Sequence, residues 1–132
     1  MDNINLYEKI YYNDYKIPEL KNILIERRLN TKGKKQDLID RLKEDDNRRR
    51  KEEGIILLFV KHFITGGFTD IYINSSDTGE KIYEIMSIKY GIPKDKLRIC
   101  FGTTYNLINK DLSLIEQNIY SESTLTCSIK MC

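Results

Sequence analysis

Three lysines surround a single glycine at residues 32–35, within the stretch NTKGKKQDLIDRL of residues 30–42. The apolar pattern that begins at Leu38 predicts a helix starting just after these lysines. A helix N-terminus has unpaired N–H groups and a partial positive charge, so added cations make it a place where phosphate can bind. Gly33 has no Cβ and lets the backbone approach a ligand closely. The same spacing also fits a solvated helix end, and the residues alone leave both interpretations open.

The positive charge of the chain is concentrated locally and is small overall. The formal net charge of the 132 residues is only +2. Residues 27–35 nevertheless carry five positive charges and no acid, and a second basic run follows at residues 48–51. A basic cluster is an electrostatic footprint for a polyanion even on a nearly neutral chain.

The remaining reactive side chains form no catalytic or metal-binding pattern. His62 is the only histidine, and the three cysteines have no Cys/His partner at ligand spacing. The run Thr65-Gly66-Gly67 lacks the Gly-Lys-Ser/Thr ending of a phosphate-binding loop. We therefore expect no enzyme activity, no cofactor and no metal. The odd cysteine count without CxxC indicates a reducing intracellular setting, and no apolar run is long enough to predict a membrane partner.

Two short helices are the elements that must position the basic turn. Pro18 can open the first, and Leu20 and Leu24 share one of its faces. Leu38 and Leu42 form the apolar stripe of the second. The charged residues 43–53 predict a helical extension and a linker that lie outside any core. Because so small a unit is marginal by itself, we expect support from the long charged helix or from residues 4–12.

From Ile55 onward the pattern changes to short strands around one helix. Residues 56–61 alternate between apolar and mixed positions, and Gly66-Gly67 predicts a hairpin turn. Thr78 precedes an apolar helical pattern that Gly91 ends, and residues 97–101 and 125–129 predict two further strands. The fold class is therefore α+β, a helical unit followed by a mixed sheet on one helix.

The helical part resembles the SAP family. The stretch YKIPELK of residues 15–21 and LNTKGKKQDLIDRL of residues 29–42 contain a Glu-Leu-Lys helix, a Leu-x-Thr-x-Gly-x-Lys turn and a Leu-Ile-x-Arg-Leu ending. The resemblance covers about thirty residues. It implies a helix-turn-helix-like module that binds duplex DNA, often A/T-rich, in a nuclear or other DNA-containing compartment. RNA remains an alternative, because phosphate contacts alone do not distinguish the two.

The resemblance implies which residues face the DNA. The turn and the start of the second helix are the central positions, and nearby cations flank them. Arg41 matches the arginine of the helix ending and fits a structural role. Many SAP sequences have glycine where this chain has Arg28, so the turn there is either shaped differently or strained. The predicted DNA-binding residues are Lys16, Lys21, Arg27, Arg28, Thr31, Lys32, Gly33, Lys34 and Lys35.

The second part resembles ubiquitin over about seventy residues, from LFVK at 58–61 through RICFG at 98–102 to ESTL at 122–125. This resemblance implies a ubiquitin-like β-grasp domain. The chain ends Ile129-Lys130-Met131-Cys132 without a Gly-Gly tail, so we do not expect covalent tagging. An altered apolar face would instead bind an unidentified protein, or the domain is a plain spacer. The predicted partner-binding residues are Phe59, Phe63, Arg98, Cys100, Ser128 and Lys130.

Together these patterns predict three segments: a SAP-like module over 1–45, a charged extension or linker over 46–54, and a ubiquitin-like domain over 55–132. The leading hypothesis is a non-enzymatic DNA-binding adaptor that recruits a protein. One alternative is an accessory of a ubiquitin- or SUMO-type pathway that mimics the modifier without conjugation. Another is a structural chromatin or genome-packaging protein. The absence of alanine suggests an A/T-rich genome, and a viral source would place the protein in a viral factory.

Overall fold

A computed structural model describes residues 4–62, 66–102 and 106–130 of the chain. The chain divides into two units, Met1–Glu53 (unit 1) and Gly54–Cys132 (unit 2). Unit 1 is helical and unit 2 contains a mixed five-stranded sheet, so the α+β class is confirmed. Within the described ranges no helix combines the length and apolar character needed to cross a membrane.

Unit 1 consists of a short 3-10 turn and two helices, as the apolar stripes predicted. The elements are the turn Tyr12–Asp14, α1 over Ile17–Glu26 and α2 over Lys35–Glu52. Leu20 and Leu24 of α1 form one core with Leu38 and Leu42 of α2, and all four side chains are fully buried. Tyr12 completes this core. The two stripes are therefore the contact between the helices.

The charged second half of α2 belongs to unit 1, which corrects the expectation that it stays outside the core. The helix continues to Glu52, and Asp45, Asp46 and Arg50 are buried. Most of residues 46–54, predicted as a charged extension or linker, therefore continues α2 within unit 1. These charges are buried because each has polar partners inside the unit.

Arg50 of α2 forms hydrogen bonds with the segment that precedes the 3-10 turn. Its Nε donates to the carbonyl of Leu6 at 2.8 Å, and its Nη2 donates to the carbonyl of Glu8 at 2.9 Å. The expectation that residues 4–12 support the helices is thus confirmed, through backbone carbonyls as well as through Tyr12.

Unit 2 is a mixed sheet with one long helix. Its elements are β1 Ile55–His62, β2 Phe68–Asn74, α3 Gly79–Tyr90, β3 Leu97–Phe101, β4 Asn106–Leu107 and β5 Ser123–Ile129. The strand order is β2-β1-β5-β3-β4. The β1 and β5 strands are parallel, and the other neighbouring pairs are antiparallel.

The sheet has an inner face that meets α3 and an outer face opposite to it. Leu58 and Val60 lie on the inner face and are fully buried in a core that includes Ile82 and Met86 of α3. Thr78 precedes α3 as predicted, but its side chain makes no capping hydrogen bond. The alternation predicted for β1 is confirmed, and it decides which side chains remain on the outer face.

Candidate nucleic-acid interface

The turn between α1 and α2 is held in shape by two side chains. Asn30 Oδ1 accepts a hydrogen bond from the backbone N–H of Lys32 at 2.8 Å. Arg41 Nη1 donates to the carbonyls of Asn30 at 2.7 Å and of Lys32 at 3.0 Å. The side chain of Asn30 is therefore engaged within its own turn. Arg41 has the structural role that its position in the sequence suggested.

Gly33 is required by a contact inside the turn itself. Its φ is +118°, and a Cβ at this position would lie 2.8 Å from both Cβ and Oδ2 of Asp37. Asp37 occupies that space because its Oδ2 accepts the N–H of Lys34 at 2.9 Å, at the start of α2. A side chain at residue 33 would therefore displace the carboxylate that caps the helix. The close approach that Gly33 was expected to allow is therefore made by the side chain of Asp37, within the turn.

The turn presents its lysines to solvent at the positive end of α2. Lys32 and Lys34 are exposed, and neither forms an ion pair with any described residue. Lys35 is half-buried, and its ammonium donates to the carbonyl of Asn13 at 3.1 Å. The first amides of α2 have no intrahelical acceptor, so they point toward the same space. Thr31 is half-buried within this turn.

Lys16 and Lys21 lie on α1. Lys16 is the N-cap residue, and its N–H donates to Glu19 Oε1 at 2.9 Å. The contact of Lys35 with Asn13 brings the start of α2 to the segment just before Lys16. Lys21 is exposed, and no described contact links its side chain to the turn. Among the described residues, no contact links the side chain of either lysine to the basic turn, so their predicted role in DNA binding stays a prediction.

Arg28 adopts the left-handed conformation that the sequence comparison brought into question. Its φ is +59°. The N–H of Arg28 donates to the carbonyl of Ile25 at 3.0 Å, and that of Leu29 donates to Leu24 at 2.8 Å. This is the Schellman pattern, in which glycine is usual at the left-handed position. Arg28 therefore accepts the strain, and its exposed side chain stays available to an anion.

Arg27 was predicted to contact DNA, and the structure contradicts that prediction. Its side chain is 0% exposed. Its Nη1 lies 2.7 Å from Asp46 Oδ1 and 3.2 Å from Asp45 Oδ2, and its Nη2 donates to the Tyr12 hydroxyl at 3.2 Å. Tyr12 in turn donates to Asp46 at 2.6 Å. Arg27 is therefore the centre of a buried network that joins α1, α2 and the N-terminal turn.

Burial and neighbouring charges have opposite effects on the pKa values of the acidic groups in this network. Burial, followed by the hydrogen bond to Asp46, raises the pKa of the Tyr12 hydroxyl. Burial also opposes ionisation of Asp45. The hydrogen bond from Arg48 and the charges of Arg49 and Arg27 outweigh it, so the pKa of Asp45 lies below its usual value. Asp45 is therefore ionised and Tyr12 is neutral near neutral pH.

In unit 2 the residues predicted for partner binding differ in exposure. Arg98 and Lys130 are exposed, Phe59 and Ser128 are half-buried, and Phe63 lies outside the described residues. Cys100 is buried at 6% exposure, because it lies between Thr126 of β5 and Leu107 of β4. The prediction that Cys100 offers a surface contact was wrong.

Comparison with known proteins supports a function for unit 1. Among curated proteins, none matches the chain significantly. A family model described as the SAP domain matches residues 12–47, which include the 3-10 turn, all of α1 and most of α2. The match contains the basic turn, Arg41 and the buried network around Arg27, and it suggests DNA binding by this part of the chain.

Proposed function

We propose that the protein is a non-enzymatic DNA-binding adaptor that holds duplex DNA through the basic turn of unit 1. The observation that carries this proposal is the placement of Lys32 and Lys34 at the N-terminus of α2 within the SAP match, where both are exposed and form no ion pair with a described residue. The dipole of an 18-residue helix and two free ammonium groups attract the same phosphate.

The turn is suited to contact phosphates and poorly suited to read bases. Asn30 is engaged within the turn, and Thr31 is half-buried. Phosphate contacts supply affinity and salt dependence without sequence information. A preference for A/T-rich duplex would then arise from the narrow groove and its stronger negative potential. The proposed setting is an intracellular compartment that contains DNA.

The second half of the proposal is a ubiquitin-like, non-conjugated domain that docks a further macromolecule. The strand order β2-β1-β5-β3-β4, with α3 between β2 and β3, supports this identity together with the sequence resemblance. Leu107 of β4 is an apolar side chain exposed at 54%, which supports a docking role. A protein ligand at this edge of the sheet completes the adaptor.

The test compares the DNA affinity of two double-lysine variants with that of the unaltered chain. Affinity is measured by fluorescence anisotropy on a labelled A/T-rich duplex across a salt series. In the full chain, Lys32→Ala/Lys34→Ala removes two free cations at the turn. We expect the salt slope to fall by about two, and affinity to fall about tenfold or more at low salt.

Lys43→Ala/Lys51→Ala is the matched control, because both lysines are exposed on α2 away from the turn and carry the same charge. The proposal requires this control to bind like the unaltered chain. Equal losses in the two variants would mean that only net charge matters, and the turn would not be the site.

A further inference from the structure

Unit 2 carries a second group of free cations, on the outer face of its sheet. Lys61 is near the end of β1, Lys96 is the last residue of a 3-10 turn just before β3, Arg98 is the second residue of β3, and Lys130 follows β5. All four side chains are exposed. We define these four residues as the basic corner of the sheet.

The strand register brings the basic corner together. Lys61 pairs with Thr126 on β5, and Arg98 pairs with Ser128 two residues further along the same strand. The N–H of Lys130 donates to the carbonyl of Lys96 at 2.8 Å, which continues the ladder by one residue. Neighbouring strands are about 4.8 Å apart and residues advance about 3.3 Å, so Lys61 and Arg98 lie about 12 Å apart.

The charges of the basic corner are not neutralised within the described chain. None of the four side chains forms an ion pair there, whereas the nearby Lys94 is paired with Glu80 at 2.7 Å. Asp70 on β2, opposite Phe59, is the acid that the described strands place on this face. Asp95 precedes Lys96 and makes no ion pair with it. A cluster of unpaired cations this dense favours an anionic ligand.

The surroundings of the basic corner suit a nucleic-acid strand. Phe68 pairs directly with Lys61 across β1 and β2, and its ring is 61% exposed. Phe59 is half-buried on the same face. Thr126 adds a hydroxyl group between Lys61 and Cys100. Surfaces that bind single strands combine cations along the backbone with aromatic rings on which bases stack.

We infer that the outer face of the unit 2 sheet is a second nucleic-acid contact. The basic corner holds backbone phosphates, and Phe68 is available to stack on a base. Arg98 and Lys130 are thereby assigned to nucleic acid, where the sequence had suggested a protein. The choice of nucleic acid over an acidic protein rests on the DNA binding proposed for unit 1, which raises the effective concentration of DNA around the same chain.

The experiment compares two double variants of the full chain on a labelled duplex and a labelled single strand, each across a salt series. Lys96→Gln/Lys130→Gln alters the basic corner. Lys81→Gln/Lys89→Gln is the matched control, since both are exposed lysines on α3. We expect only the first variant to lose affinity, severalfold or more, with a salt slope smaller by about two.

A third variant, Phe68→Ser, separates the two forms of nucleic acid. If bases stack on this ring, affinity for the single strand falls about fivefold or more while duplex binding changes little. Equal binding of the single strand by Phe68→Ser and the unaltered chain would overturn the stacking contact.

The outcomes also separate this inference from the function proposed for unit 1. Loss in the Lys96/Lys130 variant with full binding by the Lys32/Lys34 variant would support the basic corner and refute the turn. Loss of binding only in the Lys32/Lys34 variant would refute nucleic-acid binding by the basic corner. Its cations would then be available for an acidic protein ligand. Losses in both variants, with both lysine controls unaffected, would support two contacts on one chain.

Discussion

At the scale of single residues, Arg28 is the clearest case of strain in unit 1. It has a Cβ in a left-handed conformation at φ +59°, where glycine would be relaxed. We expect Arg28→Gly to raise the free energy of unfolding of unit 1 by about 1 kcal/mol, because the strain of the Cβ is removed. Urea denaturation of the full chain, followed by NMR signals of unit 1, measures this change.

Arg28→Ala separates strain from charge at the same position. It retains the Cβ and removes the guanidinium, so we expect no gain in stability. If Arg28 also contacts phosphate, the glycine and alanine variants lose the same amount of DNA affinity although only one is stabilised. A destabilised glycine variant would refute the strain argument.

At the scale of elements, the buried network around Arg27 joins α1 to the charged half of α2. Removing one partner of a buried ion pair typically costs about 3–5 kcal/mol, since the remaining charge is left buried. We expect Arg27→Gln to destabilise unit 1 by about 3 kcal/mol, although Arg48 and Arg49 still partner Asp45. The same urea measurement checks it.

Arg28→Gln is the matched control for this variant, because it is the adjacent arginine and is exposed. It should change stability by less than about 0.5 kcal/mol. A comparable loss in both variants would mean that the network contributes little beyond overall charge.

The elements that could be predicted from the sequence are those whose apolar residues repeat at helix or strand spacing. Leu20 and Leu24, or Leu58 and Val60, repeat at spacings that a helix or strand imposes, so their burial could be anticipated. Arg27 and its partner Asp46 are 19 residues apart with no pattern that links them. Cys100 is covered by β4, a strand of only two residues, which is too short to give an alternation. Tertiary pairing of this kind is not visible in one sequence.

The two candidate sites also differ in whether a local sequence pattern could reveal them. Lys32, Gly33 and Lys34 are contiguous, so one motif was enough to group them. The basic corner instead depends on the register of three strands that are up to 69 residues apart, from Lys61 to Lys130. The sequence contains all four cations, but only the sheet places them together.

At the scale of the whole molecule, the two units should respond differently to acid. Among the described residues, the buried charged side chains, Arg27, Asp45, Asp46 and Arg50, all belong to unit 1. The pKa of Asp45 is lowered in the folded state, so its stabilising contribution is present above the unfolded value of about 4. That contribution is lost as the pH falls through the lower, folded pKa.

We therefore expect unit 1 to unfold at a higher pH than unit 2 during acid titration. Two-dimensional ¹H–¹⁵N NMR of the full chain follows both units in one sample. The amides of α2 should lose native dispersion while those of β1 and β5 retain it. Simultaneous loss in both units would contradict the assignment of acid sensitivity to the Arg27 network.

The two carbonyl contacts of Arg41 bear on how quickly unit 1 would associate with the DNA that we propose it binds. Because Arg41 and Asn30 fix the turn from within unit 1, residues 30–34 do not need the DNA to acquire their shape. Association then involves no slow isomerisation, and the observed rate rises linearly with DNA concentration. Added salt lowers this rate by weakening long-range attraction, while the lifetime of the complex reports the close phosphate contacts. Because the turn has its shape before binding, diffusion and electrostatic attraction would set the association rate.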